Sequence, residues 1–468
     1  MLACRSESPT DAPANTHRPK TTGPSVLLIS IDTLRNDHLH CYGYPRDTSP
    51  NIDRLAAEGV LFENNVSSTS WTLPAHAALF TSLPDSVHGC VDTDRRLSPS
   101  LVTLAERFKA AGYQTVGFFS GPYLHPAFGL GQGFDLYEDC TSYHNLLDHT
   151  PVGKWAMDPE VMRKSHRDIT NPIVYGAVHR WLKTHHDTPF FMFVHLWDVH
   201  FDFIPPEPYH SKFDPDYHGT VTGENFFFDR RINAHMPKRD LQHIIALYDG
   251  EIAWTDLHVG KILADLKSEG LLDDMVVALT SDHGTEFFEH GGKGHRMTLF
   301  DEVLRTPLII RDAKRLKAGR RVRQQSRIID IGPTLLELAG LPKAEDILGH
   351  SLVRLAMGDA LDFDNTAVSE LFSVGRRMRT LRTLDWKLYD NIALNRTYYY
   401  ELAKDPHELR PIEDLSTAQG RKMVSAYRRT LEQLKAAAAA HRTIPTYTDL
   451  PEEVSRQLKS LGYVGSDP

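Results

Sequence analysis

The sequence predicts an α/β protein in two parts, a layered domain built on a largely parallel sheet and a smaller C-terminal domain with an antiparallel sheet. Three observations carry this. Short apolar runs recur through the first two thirds of the chain without polar alternation, as strands covered on both faces require. Helical patterns with recognisable ends lie between them. Beyond about residue 365 the runs become closely spaced strand-like segments followed by one helix. A chain of 468 residues also exceeds the size at which one core usually keeps growing. The boundaries read as a tail over 1–24, a large layered domain over 25–364 and a smaller unit over 365–468.

Taken in order, the strands are SVLLISID (25–32), TVGFFS (115–120), FFMFVHLWD (190–198), MVVALTSDHG (275–284) and TPLIIRD (306–312). Ser49 and Pro50 open a helix that stops at Gly59, because serine caps, proline suits the first turn and glycine suits the exit. A second helical pattern runs from Ser98 to Gly112, a long one from Lys238 to about Gly270, and another lies near 330–340. Residues 135–235 are rich in His, Asp, Pro and aromatics with poor periodicity, which reads as binding loops. In the smaller domain, RMRTLRTLDWKLYD and RTYYYELAKDP supply strands and 415–440 a helix.

Composition excludes some functions. The net charge of -9 comes from interspersed acids and bases, so electrostatics give no support to a nucleic-acid partner. No run of about 18 apolar residues is present, so no transmembrane segment is expected. The four cysteines, Cys4, Cys41, Cys90 and Cys140, lack C-x-x-C spacing, which argues against a zinc ribbon or a disulfide framework. Leu2-Ala3-Cys4 resembles the end of a bacterial lipoprotein signal. It leads us to expect an exported, periplasmic or surface-tethered protein with a lipid anchor at Cys4; without that anchor the chain reads as cytoplasmic. Twenty-five histidines raise the expectation of a metal or phosphate site. Oligomeric state is not readable.

The chemistry gathers where strands end. Asp32 closes the first run, His195 and Asp198 the third, and Asp282 with His283 the fourth. In an open parallel sheet the ligand crevice lies at the carboxyl ends of the strands, so these groups can converge. Two carboxylates, an imidazole and a hydroxyl make a compact site for a divalent cation. Thr72, in STSWTLPAHAALFTSL, falls where a loop enters an apolar helix just before Pro74. There it reads both as a cap and as a nucleophile at an anion-favouring helix N-terminus.

Several stretches resemble the sulfatase family of the alkaline phosphatase superfamily: ISIDTLRNDHLHCYGYPRDTSPNIDRLAAEGVLFENN, VHLWDVHFDFIPPEPY, TSDHGTEFFEHGGKGH, LFDEVLRTPLII and the terminal LKSLGYV. They occur in family order from residue 25 to the end. The resemblance implies an alkaline phosphatase-like sandwich, with a large mixed, mostly parallel sheet between helices and a smaller C-terminal domain. It also implies a metal-dependent ester hydrolase whose nucleophile lies in a C-x-P-S-R segment, its Cys oxidised to formylglycine. Here that segment reads Thr72-Leu73-Pro74-Ala75-His76. Thr cannot form the aldehyde hydrate that expels sulfate by elimination, whereas a phospho-Thr can be released by water attacking phosphorus. The family's Asp-Asp and Asp-Asn pairs are replaced by Asp32-Thr33 and Asp282-His283. An imidazole in place of an amide oxygen moves the metal from calcium towards manganese or zinc. The set Asp32, Thr72, Asp282 and His283 thus resembles that of phosphonate monoester hydrolases and of phosphoethanolamine or glycerophosphate transferases.

A bound divalent cation would lower the pKa of the Thr72 hydroxyl by many units. By the same resemblance, His76 replaces the motif Arg and is expected to hold the nucleophile or a phosphoryl oxygen. His200 is expected to contact the transferring group, and His295 to meet the ester oxygen and protonate the leaving group, with Lys293 as runner-up. His195 is expected to contact substrate, or with His290 to form a pair that supports the metal ligands or part of a second metal site. Arg35 is expected to pair with Asp37 or to reach a phosphate. Two carboxylates, an ionised hydroxyl and one dication leave a charge of about -1, which suits a monoanionic diester; a second metal would relax this. The leading expectation is a phosphodiesterase or phosphonate monoester hydrolase acting on a small-molecule, glycan or lipid ester. A sulfatase working without formylglycine, a phosphoryl transferase and an inactive binding homologue remain alternatives.

Overall fold

The computed structural model describes residues 21–141, 169–185, 187–359, 365–373, 375–441 and 446–460. The anchor expected at Cys4 and the end of LKSLGYV lie outside the described residues, as does part of the 135–235 segment.

Eight strands form the main sheet: β1 (Val26–Ile31), β2 (Val60–Val66), β3 (Gln114–Phe119), β4 (Leu136–Asp139), β5 (Phe190–Leu196), β6 (Val276–Ser281), β7 (Arg305–Asp312) and β8 (Arg320–Arg327). Their order is β8-β2-β7-β6-β1-β5-β3-β4. Only β7 runs antiparallel to its neighbours, so the sheet is mixed and mostly parallel. All residues of β1, β5 and β6 are buried, which explains their unbroken apolar runs. Val26 and Leu28 of β1 join one core and Leu27, Ile29 and Ile31 another, so each face of the sheet has its own.

Helices cover both faces: α1 (Pro50–Glu58), α2 (Thr72–Thr81), α3 (Leu104–Ala110), α4 (Asn171–Leu182), α5 (Lys238–Ser268) and α6 (Ile331–Leu338). Two expected caps are corrected. Ser49 does not cap α1; its hydroxyl bonds Asp53, and the Asp256 carboxylate reaches over from α5 to accept from the Asn51 and Ile52 amides. The second helix begins at Leu104 rather than at Ser98, because Thr103 and Glu106 form a reciprocal capping box there.

The C-terminal sheet is a four-stranded antiparallel meander, β9 (Ala367–Ser373), β10 (Arg376–Arg382), β11 (Trp386–Asn391) and β12 (Arg396–Glu401). Leu381, Leu388 and Tyr399 pack on Met423 and Tyr427 of α7 (Ala418–His441). The opposite face sends Leu371, Tyr389 and Tyr400 into the core of the main sheet. A buried ionic knot fastens the two parts: Asp301 accepts from Arg382 and from Lys387, and Lys387 also meets Glu408 at 2.8 Å. Among the described residues no helix is long and apolar enough to cross a membrane.

Candidate active site

The carboxyl ends of β1 and β6 are adjacent, because the two strands pair in register from Val26 with Val276 to Ile31 with Ser281. The next residues out, Asp32 and Asp282, therefore emerge side by side, with His283 following. The helix α2 begins with Thr72 at the same edge. Thr72 Oγ1 lies 3.4 Å from Asp32 Oδ2 and 3.3 Å from His283 Nε2. His283 Nε2 is 3.4 Å from Asp282 Oδ2 and 3.8 Å from Asp32 Oδ1. The four expected ligands thus meet at one point.

Thr72 does not serve as a helix cap. It is the first residue of α2, and its hydroxyl turns to the acidic cluster instead of to a backbone amide. The turn that aims Asp32 is held by Thr33, a β-branched residue in the left-handed region (φ 53°), whose amide donates to Asp282 Oδ1. Tyr248 closes the same turn by donating its hydroxyl to the Thr33 carbonyl.

Donor chemistry fits a divalent cation. Asp32 Oδ1 and Asp282 Oδ2 are buried and have no hydrogen-bond partner. Such oxygens are costly unless something positive meets them. Burial raises the Asp32 carboxyl to about 6, against the opposing pull of His283, the Thr72 hydroxyl and the Thr33 amide. His283 donates Nδ1–H to the Gly284 carbonyl, which leaves Nε2 as the lone-pair nitrogen facing Asp32, Asp282 and Thr72. Asp32, Asp282 and His283 place one ligand atom each within 4.8 Å of one another.

Two further imidazoles back the carboxylates. His76 donates Nδ1–H to the Thr72 carbonyl at 2.9 Å and accepts from Ser30 Oγ at Nε2, while Asp282 Oδ2 lies 3.7 Å from Nδ1. It therefore holds the nucleophile's backbone; a phosphoryl oxygen finds both ring nitrogens engaged. Burial and the neighbouring His195 lower its pKa to about 3, so it is neutral. His195 pairs with Ser30 in the β1–β5 register and lies behind Asp32, at 3.4 Å. It is fully buried, so of its expected roles it takes the support of a metal ligand and not the contact with substrate. Burial brings it to about 4.

On the open side, His200 and His295 face each other with ring centroids 4.9 Å apart, and His295 lies 4.6 Å from His283. Burial, then the neighbouring His283 and His200, hold His295 well below the ordinary imidazole value. A neutral ring offers one N–H to an ester oxygen, so His295 is placed as a hydrogen-bond donor and not as a store of protons. His200 Nδ1 donates to the Phe201 carbonyl.

Arg35 takes the first of its two expected roles: it pairs with Asp37, and its remaining donors go to Glu289 and the Thr285 carbonyl instead of to the site. Other expectations change. Lys293 is pinned by three backbone carbonyls, those of Phe226, Asp229 and Ile232. His290 stands apart from His195, bonded to Glu302 and stacked on Phe300; with Glu286 and Glu302 it forms a separate group whose ligand atoms lie within 4.8 Å of one another, which keeps the second-metal reading and drops the pair. Asp198 caps α4 through the Thr170 and Asn171 amides and accepts from the Trp254 indole, so it is no ligand. In each case a nearer local partner takes the charge.

Two participants escaped sequence reading. Ser30 is the one polar residue of VLLISI, and that interruption is the signal for a buried hydroxyl with a specific partner. Arg296, next to His295, has a left-handed backbone (φ 64°), and its guanidinium covers Trp71, 4.1 Å from the ring centroid. Its donors go to Ser373 and Tyr123, so it braces the residue before Thr72 against β9.

Comparison with known proteins identifies the family and the fold. The family model Sulfatase matches residues 24–341, and the model N-sulphoglucosamine sulphohydrolase, C-terminal, matches residues 288–437. Arylsulfatase K of Danio rerio is 32% identical over 430 residues, which cover 83% of this chain and 80% of that protein. The phosphonate monoester hydrolase of Agrobacterium radiobacter superposes with a TM-score of 0.70 at 26% identity, over 89% of this chain and 96% of its own. A structure bound to its substrate D-glucosamine-2-N,6-O-disulfate superposes with a TM-score of 0.73 at 21% identity, over 89% of this chain and 99% of its own.

Proposed function

From the premise that the chain belongs to the sulfatase family, we propose that it is a metal-dependent hydrolase of phosphodiesters or phosphonate monoesters with Thr72 as its nucleophile. The observation that carries this reading is the position of Thr72 Oγ1, between Asp32 and His283 and free of any capping duty. In the first half-reaction Oγ1 attacks phosphorus and the bond to the leaving-group oxygen breaks. The hydroxyl proton has Asp32 Oδ2 within reach, because the one lone pair of His283, at Nε2, belongs to the ligand set. His200 and His295 lie where the departing oxygen would be met. In the second half-reaction water attacks the same phosphorus and frees Thr72. A divalent cation held by Asp32, Asp282 and His283 would supply Lewis acidity and offset charge on the phosphoryl oxygens; manganese or zinc suits this donor set better than calcium.

Charge favours a monoanion. The side chains that could have added positive charge, Arg35 and Lys293, are committed elsewhere, and His76, His195 and His295 are held neutral. A second reading, a sulfatase acting through unmodified Thr72, is favoured by the arylsulfatase K relative. It leaves a sulfated Thr with no elimination route.

The test is a panel of bis-nitrophenyl phosphate, the nitrophenyl ester of phenylphosphonate, nitrophenyl phosphate and nitrophenyl sulfate, run on the wild type and on Thr72→Ala. We expect the first two to be turned over fastest and Thr72→Ala to lose about 10³-fold or more in kcat. Preference for the sulfate ester, or unchanged turnover by Thr72→Ala, overturns the proposal.

A further inference from the structure

A continuous line of rings leads outward from the reacting centre. From His283, beside Thr72, it passes to His295 at 4.6 Å, to Phe201 at 5.4 Å, to Phe227 at 5.8 Å and to Phe228 at 5.7 Å, where it reaches solvent. Phe201 and Phe227 are close to parallel, with an interplanar angle of 20°. Phe228 is 46% exposed, a large apolar face at the outer end of the line.

The loop that presents these rings is fixed from beneath. Lys293 donates to the carbonyls of Phe226 and Ile232 at 2.7 Å and of Asp229 at 3.2 Å, and Asp202 accepts from the Phe226 amide at 2.8 Å. Three carbonyls on one ammonium form a staple, which explains why a half-buried lysine sits beside the site without facing it. Gly294, between Lys293 and His295, has φ 78°, the left-handed region that favours glycine, and Phe227 lies in van der Waals range of it.

We propose that Phe201, Phe227 and Phe228 form the subsite for the leaving group of the ester, and that this subsite takes a planar, uncharged aryl group. The inference rests on the reading of Thr72 as attacker, which puts the departing oxygen on the His295 side. His295 touches both the reacting centre and Phe201, so a group leaving past it lies against the phenylalanines. Offset stacking suits a flat ring. At the inner end of the line, against buried Phe201, a charged group gains no donor from Lys293 or Arg296, whose donors are taken. Lys293 is thus a positioning residue for selectivity.

The experiment compares kcat/KM for the nitrophenyl and methyl esters of methylphosphonate in the wild type, Phe227→Leu, Phe228→Ala and Lys293→Met. Saturation-transfer NMR with nitrophenol is recorded on each protein. We expect the aryl-over-methyl ratio to fall about tenfold in Phe227→Leu and Lys293→Met and about twofold to threefold in Phe228→Ala, with the nitrophenol signal weakened in the same order. A ratio and a signal unchanged in all three variants overturn the subsite. If no phosphorus ester is turned over by the wild type, the reading of Thr72 fails instead. The nitrophenol signal then decides the subsite alone, and its absence from the wild type overturns it.

Discussion

The sharpest consequence of the site is a reversal of melting order between metal-free and metal-loaded protein. The perturbation is Asp282→Asn. Asp282 is fully buried; Oδ1 accepts the Thr33 and His283 amides, an arrangement an amide oxygen can keep, while Oδ2 has no hydrogen-bond partner. In chelator the wild type bears the cost of that oxygen, about 1–3 kcal/mol, whereas the variant's amide NH2 in the same place can donate to His283 Nε2, 3.4 Å away. At 468 residues the unfolding entropy is about 1 kcal/mol/K, so the metal-free variant should melt about 1–3 °C above the metal-free wild type. With free cation at about 1,000 times the Kd, the wild type gains about 4 kcal/mol, or about 4 °C. The variant has lost a charged ligand; with its affinity down about 1,000-fold it gains only about 0.4 kcal/mol at the same free cation, so it stands about 1.4–3.4 °C up against about 4 °C for the wild type and the order inverts. The assay is a thermal melt of both proteins in EDTA and in manganese or zinc. A wild-type Tm indifferent to chelation, with the variant melting lower under both conditions, would refute the reasoning.

Two further consequences follow from the supports of the site. His76→Ala removes the bond to the Thr72 carbonyl and the neighbour of Asp282, and should lower kcat about 10- to 100-fold on the preferred ester while leaving the far-ultraviolet spectrum unchanged; full activity would show that Thr72 is held without it. Asp301→Asn strips the shared anion from Arg382 and Lys387, and should cost about 3–5 kcal/mol, or about 3–5 °C. Burial pushes the Asp301 carboxyl up, but Arg382 and Lys387 outweigh it and hold it well below the carboxylate range. A depressed pKa contributes stability that is present above the unfolded value of about 4 and lost as pH falls below it. The gap between wild type and Asp301→Asn should therefore be full at neutral pH and shrink below about pH 4 in chemical denaturation. A gap independent of pH would mean that the charge is not what matters.

Much of this molecule is visible in one dimension because burial on two faces leaves a signature that neighbours in sequence share. The runs around β1, β3, β5, β6 and β7 are such cases, and Asp32, Asp282 and His283 stand out as polar residues where those runs stop. The strands that escaped are β2, whose middle is half exposed, β9, and the edge strands β4 and β8; RRVRQQSR in β8 carries too much charge to look like a strand until β2 pairs with it. The replacement of Cys by Thr at position 72 was equally legible, since it is a matter of identity and not of place.

Place is what the sequence could not supply. Arg35, Lys293, His195 and Asp198 belong to the right types in the right stretches. Their roles depend on which partner lies nearest in space: a carboxylate for Arg35, three carbonyls for Lys293, a metal ligand's back for His195, a helix end for Asp198. A charged group in a low-dielectric interior is claimed by whatever compensates it at hydrogen-bond distance. Residue identity by itself determined what chemistry this chain holds in store, and the tertiary packing alone decided which of those groups are left to perform it.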